Sequence, residues 1–245
     1  MEDYGAATYG DHIADVYDRW DTLPADTDEA VAFLAERAGG GPVLELGIGT
    51  GRIALPLAAR GLEVHGIDAS ERMVEQLHAK PGGTGIPVTF GDFVNVDVPG
   101  GFALVLVVFN TFFGLLSQDD QVRCFARVAD HLSPGGAFAL QAFVPDLGRY
   151  QQGQNTSTRL LGLDEVHLEA SIHDPVQQRV RSQHVVLDER GIRFYPVQIR
   201  YAWPSELDLM ARLAGLRLAE RWSGWRGEPF TAASTSHVSV YRKPS

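Results

Sequence analysis

The segment VLELGIGTGRIALPLAARG, residues 43–61, constrains this chain more than any other. A short apolar run breaks on a turn containing Gly47, Gly49 and Gly51, and an apolar helical pattern resumes at once. That reads as a strand, a tight turn and a helix, with Pro56 expected to kink the helix or to sit in a first turn that tolerates it. The same alternation continues. LEVHGID (62–68) reads as a strand and SERMVEQLHAK as a helix capped by Ser70. IPVTFGDF (86–93) and FALVLVVF (102–109) read as strands, DDQVRCFARVADHL (119–132) as a helix, and SPGGAFALQAF as a fifth strand. Strand and helix in alternation predict an α/β fold, a mostly parallel sheet with helices on both faces.

The flanks follow other patterns. Ile13, Val16, Tyr17 and Trp20 fall on one face of a short helix over 11–20, and Thr27 is placed to cap a helix that Gly39 to Gly41 end. After Pro145, LDEVHLEASI, QQRVRSQHVVLD and GIRFYPVQIRYAW read as strands with no helix between them, which predicts an antiparallel meander. Pro204 then opens a helix, and LRLAERWSG and STSHVSVYR supply two last strands. The organisation expected is an N-terminal helical cap (1–41), a ligand-binding core (42–144), an antiparallel insertion (145–203) and a return to the core sheet (204–245).

Ligands of open α/β sheets sit at the carboxyl ends of the strands, and four of this chain's strand ends carry suitable groups. Glu45 lies two residues before Gly47. The dinucleotide fingerprint needs a third glycine at position 52, where Arg52 stands, and an acid so near a pyrophosphate would be repelled. A ligand bearing an ammonium and a sulfonium would be attracted to it instead. Asp68, at the end of the second strand, can accept from both hydroxyls of a ribose. Asp92 can accept from an adenine amino group, and Phe93 can offer its backbone amide to a ring nitrogen. Phe109, Asn110 and Phe112, after the fourth strand, would face the same crevice.

Glu45-Leu-Gly47-Ile-Gly49-Thr-Gly51 resembles motif I of the class I S-adenosylmethionine-dependent methyltransferases. Asp68, the triplet Gly91-Asp92-Phe93 and the LSPGG turn (132–136) stand where that family's later motifs stand. The resemblance spans residues 42–144. It implies a Rossmann-like, doubly wound, mostly parallel seven-stranded sheet, with S-adenosylmethionine as cofactor and S-adenosylhomocysteine as product. Arg52, Ala69 and Met73, beside the motif residues, complete the implied cofactor set. YGDHIADVYDRW and the inserted strands resemble the small-molecule branch, amino-sugar N-methyltransferases in particular. That implies cofactor contact for Tyr9, Tyr17 or Trp20. Tyr9, Phe112, Phe113, Tyr201 and Trp222 are the candidates for the acceptor site. His184, whose strand face also carries Val180, Ser182 and Val186, is the first candidate base, and His12 the second.

Composition narrows the partners. With 31 acidic and 21 basic residues the net charge is −10, and no Lys/Arg run offsets it, so nucleic acid is not expected. The longest apolar run is too short to span a bilayer. Cys124, the one cysteine, is read as a core residue, and a reducing, cytoplasmic setting is expected; no metal is required. Antiparallel strands can pair across a two-fold axis, which allows a homodimer. Two other readings stay open: a methyltransferase-like protein using the bound sulfonium for a reaction such as cyclisation, and a nicotinamide-dependent oxidoreductase.

Overall fold

The apolar run at Val43 forms β1 (Val43–Leu46), buried along its whole length, as a strand flanked by neighbours on both sides must be. In the computed structural model, which describes residues 3–19, 26–95 and 98–245, β1 pairs in parallel with β2 (Val64–Asp68) and β4 (Phe102–Val107). Beyond β2 lies β3 (Val88–Phe90), and beyond β4 lies β5 (Leu132–Phe143), both also parallel. Two strands close the sheet antiparallel: β11 (Ser236–Arg242) against β5, and β10 (Arg217–Trp222) at the edge. The order is β10-β11-β5-β4-β1-β2-β3. It reverses direction between β1 and β4, and the crevice at that switch point is where a doubly wound sheet binds its ligand.

Helices cover both faces. Two apolar clusters form, one around Phe112, Phe125 and Phe138 and the other around Leu34, Ile53 and Leu104. α2 (Thr27–Ala38), α3 (Ala54–Ala59), α4 (Glu71–His78) and α5 (Gln118–His131) connect the parallel strands or flank them, and α6 (Pro204–Leu213) precedes β10. Ser70 and Ser117 cap α4 and α5, accepting from the backbone N–H of Met73 and Asp120. Pro56 sits in the first turn of α3, where its missing N–H costs nothing. Thr27 is not a cap: it is the first residue of α2, and its hydroxyl accepts from Arg52.

A second sheet, β6 (Gln154–Leu161), β7 (Glu165–Asp174), β8 (Arg179–Asp188) and β9 (Gly191–Arg200), is a four-stranded antiparallel meander. The sequence shows three of these strands. β6 escaped because QNTSTRLL has no clear alternation of apolar and polar residues. The N-terminal helix also differs from expectation. α1 spans Thr8–Ile13, and Tyr17–Arg19 form a separate 3-10 turn. Ile13 and Ala14 pack with Met73 of α4 and with Val186 and Tyr195 of the meander, so the segment bridges the two sheets. Gly10 permits this approach: a Cβ there would lie 2.5 Å from Ser70 Cβ.

Candidate active site

Each strand end at the switch point delivers one polar group. Glu45, next to last in its strand, is buried, 2 % exposed, and its Oε2 has no hydrogen-bond partner among the described residues. Burial pushes its carboxyl up to about 8, and the Asp68 charge adds to this, while nearby Arg52 and the Ala54 N–H hold it down. Asp68 accepts from Gly49 N at 2.7 Å and from Ser70 N at 2.9 Å. Its carboxyl is also raised, first by burial. Asp68 thus shapes the glycine turn across the gap between β1 and β2. Gly49 has φ +55°, and a Cβ on it would meet nothing nearer than Gly47 O at 4.0 Å. An orphaned buried carboxylate beside an open, positive-φ turn fits a cationic ligand whose ammonium Glu45 would hold and whose backbone would lie against Gly49.

Asp92 and Phe93 follow β3 rather than lying on it; Phe93 opens a 3-10 turn, and Asp92 Oδ1, just before it, accepts from Val94 N at 2.9 Å. Phe109 and Asn110 after β4 have φ of +56° and +66°. Two consecutive non-glycine residues in this region store roughly 1–3 kcal/mol each. Gln141 of β5 holds the corner: its Oε1 accepts from Phe109 N at 2.9 Å and its backbone oxygen from Asn110 N, while Asn110 Oδ1 accepts from Phe143 N at 2.7 Å. Strain maintained this way at a strand tip marks a functional corner. Gln141→Leu is expected to lower kcat about tenfold, the effect of one lost hydrogen bond of roughly 1.4 kcal/mol on reactant alignment, with a smaller change in Tm. Steady-state kinetics beside a thermal melt checks this.

A cavity of about 740 Å³ connects these tips to the meander. Its wall includes Tyr9, Tyr17, Asp92, Phe93, Phe109 and Asn110 from the cofactor side, and Tyr150, Glu169, Ser182, His184 and Tyr201 from the other. Tyr17 lies close enough to Arg52, Glu45 and Asp68 to feel their charges, and burial pushes its phenol up to about 12. Arg52 donates to Thr27 and lies over the Phe109 ring at 5.3 Å. Ala69 sits between Asp68 and the Ser70 cap, and Gly91 accompanies them at the end of β3. His184 faces the cavity from β8, in register with Glu169 of β7 and Tyr195 of β9; burial lowers its imidazole, opposed by the Glu169 charge.

Other expected residues lie elsewhere. His12 is exposed, its Nδ1 bonded to Thr8 O, because α1 turns it outward. Phe112 and Phe113 are fully buried, Phe112 against Phe125 and Phe113 behind the cavity-lining Phe143, so neither forms part of the wall itself. Met73 is buried beneath α1. Trp222 packs at the far edge of the main sheet, its Nε1 donating to Glu220. Trp20 lies outside the described residues.

The structure adds wall residues that spacing did not mark. Arg159 occupies a β-bulge between Thr158 and Leu160, which turns it toward Glu169. Glu169, 6 % exposed, also faces Arg149 at 3.7 Å and Ser182 at 3.4 Å. Tyr150 stacks on His173 at 4.5 Å, and His173 bonds the Tyr201 hydroxyl at 3.0 Å. A charged Glu on the inward face of β7 was the one available signal.

The family described as "Methyltransferase domain" matches residues 43–136. The cypemycin N-terminal methyltransferase of Streptomyces sp is 28% identical over 97% of this chain and 98% of that protein. The solved CcbJ methyltransferase from Streptomyces caelestis is 45% identical, with a TM-score of 0.94, covering 99% of this chain and 100% of that one. The S-adenosylmethionine-bound amino pentose methyltransferase from Micromonospora echinaspora shares the fold, with 20% identity and a TM-score of 0.69 over 94% of this chain and 95% of its own. With these likenesses and the motif I turn beneath Glu45 and Asp68, the chain belongs to the class I S-adenosylmethionine-dependent methyltransferases.

Proposed function

We propose that this enzyme methylates an amine nitrogen of a small molecule in natural-product assembly. The observation that carries the proposal is the charge of the cavity. Among the described residues its wall bears Asp92, Asp120, Asp146 and Glu169 against Arg149 and Arg159; both guanidiniums face Glu169 and Asp120 pairs with Arg123 behind the wall, which leaves Asp92 and Asp146 with no ion pair among the described residues. A wall with that excess of carboxylates attracts a cationic ammonium to the site. The volume suits a drug-sized acceptor beside the cofactor. The cypemycin enzyme is named an N-terminal methyltransferase, and the structural relative of calicheamicin biosynthesis an amino pentose methyltransferase. The acidic surface, −10 overall, argues against nucleic acid, and no helix of the described residues is long and apolar enough to cross a membrane. Buried Cys124, its thiol pushed up by burial, suits a reducing cytoplasm.

S-adenosylmethionine supplies a methyl on a sulfonium, which leaves as a neutral thioether when the amine lone pair forms the new N–C bond. In this reading Glu45 and Asp68 fix the donor, and Phe109 and Asn110 shape the crevice in which acceptor and methyl align. Tyr9 and Tyr17 exclude water above them. His184, kept neutral by burial, takes one proton from the bound ammonium before attack, which frees the lone pair that forms the N–C bond. His184→Asn is expected to lower kcat about tenfold, at the low end for one lost acid–base group, and to remove the acid limb of the kcat profile below the ordinary histidine range.

The direct test is S-adenosylhomocysteine release with panels of amines and of alcohols, with products identified by the gain of one CH2 in mass. Turnover confined to alcohols would overturn the nitrogen assignment. Tight donor binding with no methylated product from either panel would favour a non-methylating use of the sulfonium.

The outer face of the meander supports a homodimer. An antiparallel sheet covered on one side should present polar residues to water, yet Ile172, Ile192 and Phe194 are more than half exposed there. Four strands of about ten residues span roughly 600 Å², close to one side of a standard interface. The double substitution Ile192→Asp with Phe194→Asp should yield monomers by light scattering.

A further inference from the structure

We propose that Asp18 is a positioning residue that couples the N-terminal segment to the cofactor turn. Asp18 lies one residue after cavity-lining Tyr17, in the 3-10 turn Tyr17–Arg19. Its Oδ1 accepts from the Thr50 hydroxyl at 2.6 Å, and its Oδ2 pairs with Lys80 Nζ at 2.6 Å. Lys80 Nζ in turn donates to the Thr50 backbone oxygen at 2.7 Å. The three residues close a ring. Thr50 is the buried residue between Gly49 and Gly51, so the ring grips the turn itself.

Two further contacts fasten the same segment to the Asp68 side. The Ser70 hydroxyl donates to Asp11 Oδ1 at 2.6 Å, and Arg72 donates to Asp11 O and to Asp15 Oδ2, each at 2.6 Å. These hold the segment to α4 and its cap, whereas the Asp18 ring ties it to the glycine turn. The Asp18–Lys80 pair is partly exposed and contributes little alone. The bond from Thr50 is different, because a buried hydroxyl meets a charged acceptor.

The consequence is thermodynamic. A turn held in its ligand-receiving shape by Asp18 binds the donor more tightly, and by linkage the bound donor tightens the segment by the same factor. Tyr4, Tyr9 and Tyr17 ride on that segment and line the cavity. Donor binding therefore sets the wall against which the acceptor packs.

The test uses the full-length enzyme and S-adenosylmethionine. Asp18→Ala is expected to weaken donor affinity by calorimetry about tenfold, as loss of one charged hydrogen bond implies. The donor's KM should rise in step while kcat at saturating donor holds. Asp18→Asn keeps an acceptor for Thr50 and loses the charge, so its affinity should fall between the two. Thr50→Val should match Asp18→Ala, and the double variant should be no worse than either single one. In wild type the donor should slow hydrogen exchange across residues 3–19, and in Asp18→Ala that slowing should shrink. Should Asp18→Ala fail to fold, Asp18→Asn and Thr50→Val carry the same comparison. Wild-type affinity in all three variants, or additive losses in the double variant, overturns the coupling. The inference rests on the donor site. Wild-type protein that binds no S-adenosylmethionine overturns both readings, whereas donor binding indifferent to Asp18 overturns only this one.

Discussion

Asp68→Ala is expected to lower S-adenosylmethionine affinity about a thousandfold in a calorimetric titration. Two losses add. The side chain now accepts Gly49 N–H and Ser70 N–H, so its removal frees the glycine turn and leaves two backbone donors without their acceptor. In the proposed complex it would also accept both ribose hydroxyls. Each hydrogen bond to a charged group is worth roughly 1.5–3 kcal/mol, and every 1.4 kcal/mol is tenfold in affinity, so two of them reach about 10³. Asp68→Asn separates the two losses. Its amide oxygen can still accept Gly49 N–H, so the turn survives while the charge is gone, and a loss of about tenfold is expected. S-adenosylhomocysteine carries the same ribose and should weaken in parallel with the donor. An Asp68→Ala protein that binds either nucleoside as wild type does would remove the ribose assignment.

Much of the fold was legible because its strongest signals are local. The strand–turn–helix at 43–61 announces itself through three glycines and two apolar patterns of different period. Ser70 caps as read, and β4 is a continuous apolar run because both of its faces are covered. What failed was non-local. Their place after a strand tip points Phe112 and Phe113 to the crevice, but the left-handed turn at Phe109 and Asn110 swings the chain back and drives both rings into the core. That turn is held by Gln141, a residue 32 positions away from Phe109 with no sequence mark of its own. His12 is marked only by its place on the N-terminal segment; it stands beside buried Ile13 on α1, and the turn of the helix between them leaves its ring in solvent. Arg159 reaches the cavity only through a bulge, which strand alternation cannot foresee.

Glu45→Gln is the second large effect, and its signature is a proton. In the unliganded protein burial holds the Glu45 carboxyl up to about 8, so at pH 7 it is mostly neutral. A cationic donor beside it favours the ionised form and lowers that value. Binding at pH 7 should therefore release close to one proton, and donor affinity should rise as pH climbs toward 8, by up to tenfold per unit, before levelling off. The sign follows from the direction of the shift: the unliganded state holds the proton, the liganded state does not, so removing protons favours binding. Calorimetry in buffers of different ionisation enthalpy reads the release directly. Glu45→Gln keeps the size and a carbonyl for the Ala54 N–H but cannot ionise. It should bind the donor about a hundredfold more weakly, the upper end for one charged hydrogen bond, and release no proton through this residue. A glutamate with an ordinary carboxylate value would release none either, and wild-type binding enthalpy independent of the buffer would show that Glu45 is already charged before the donor arrives. Its buried Oε2, without a partner among the described residues, would then need a counter-charge from this chain, and Arg52, already donating to Thr27, is the neighbouring cation to examine by the same titration.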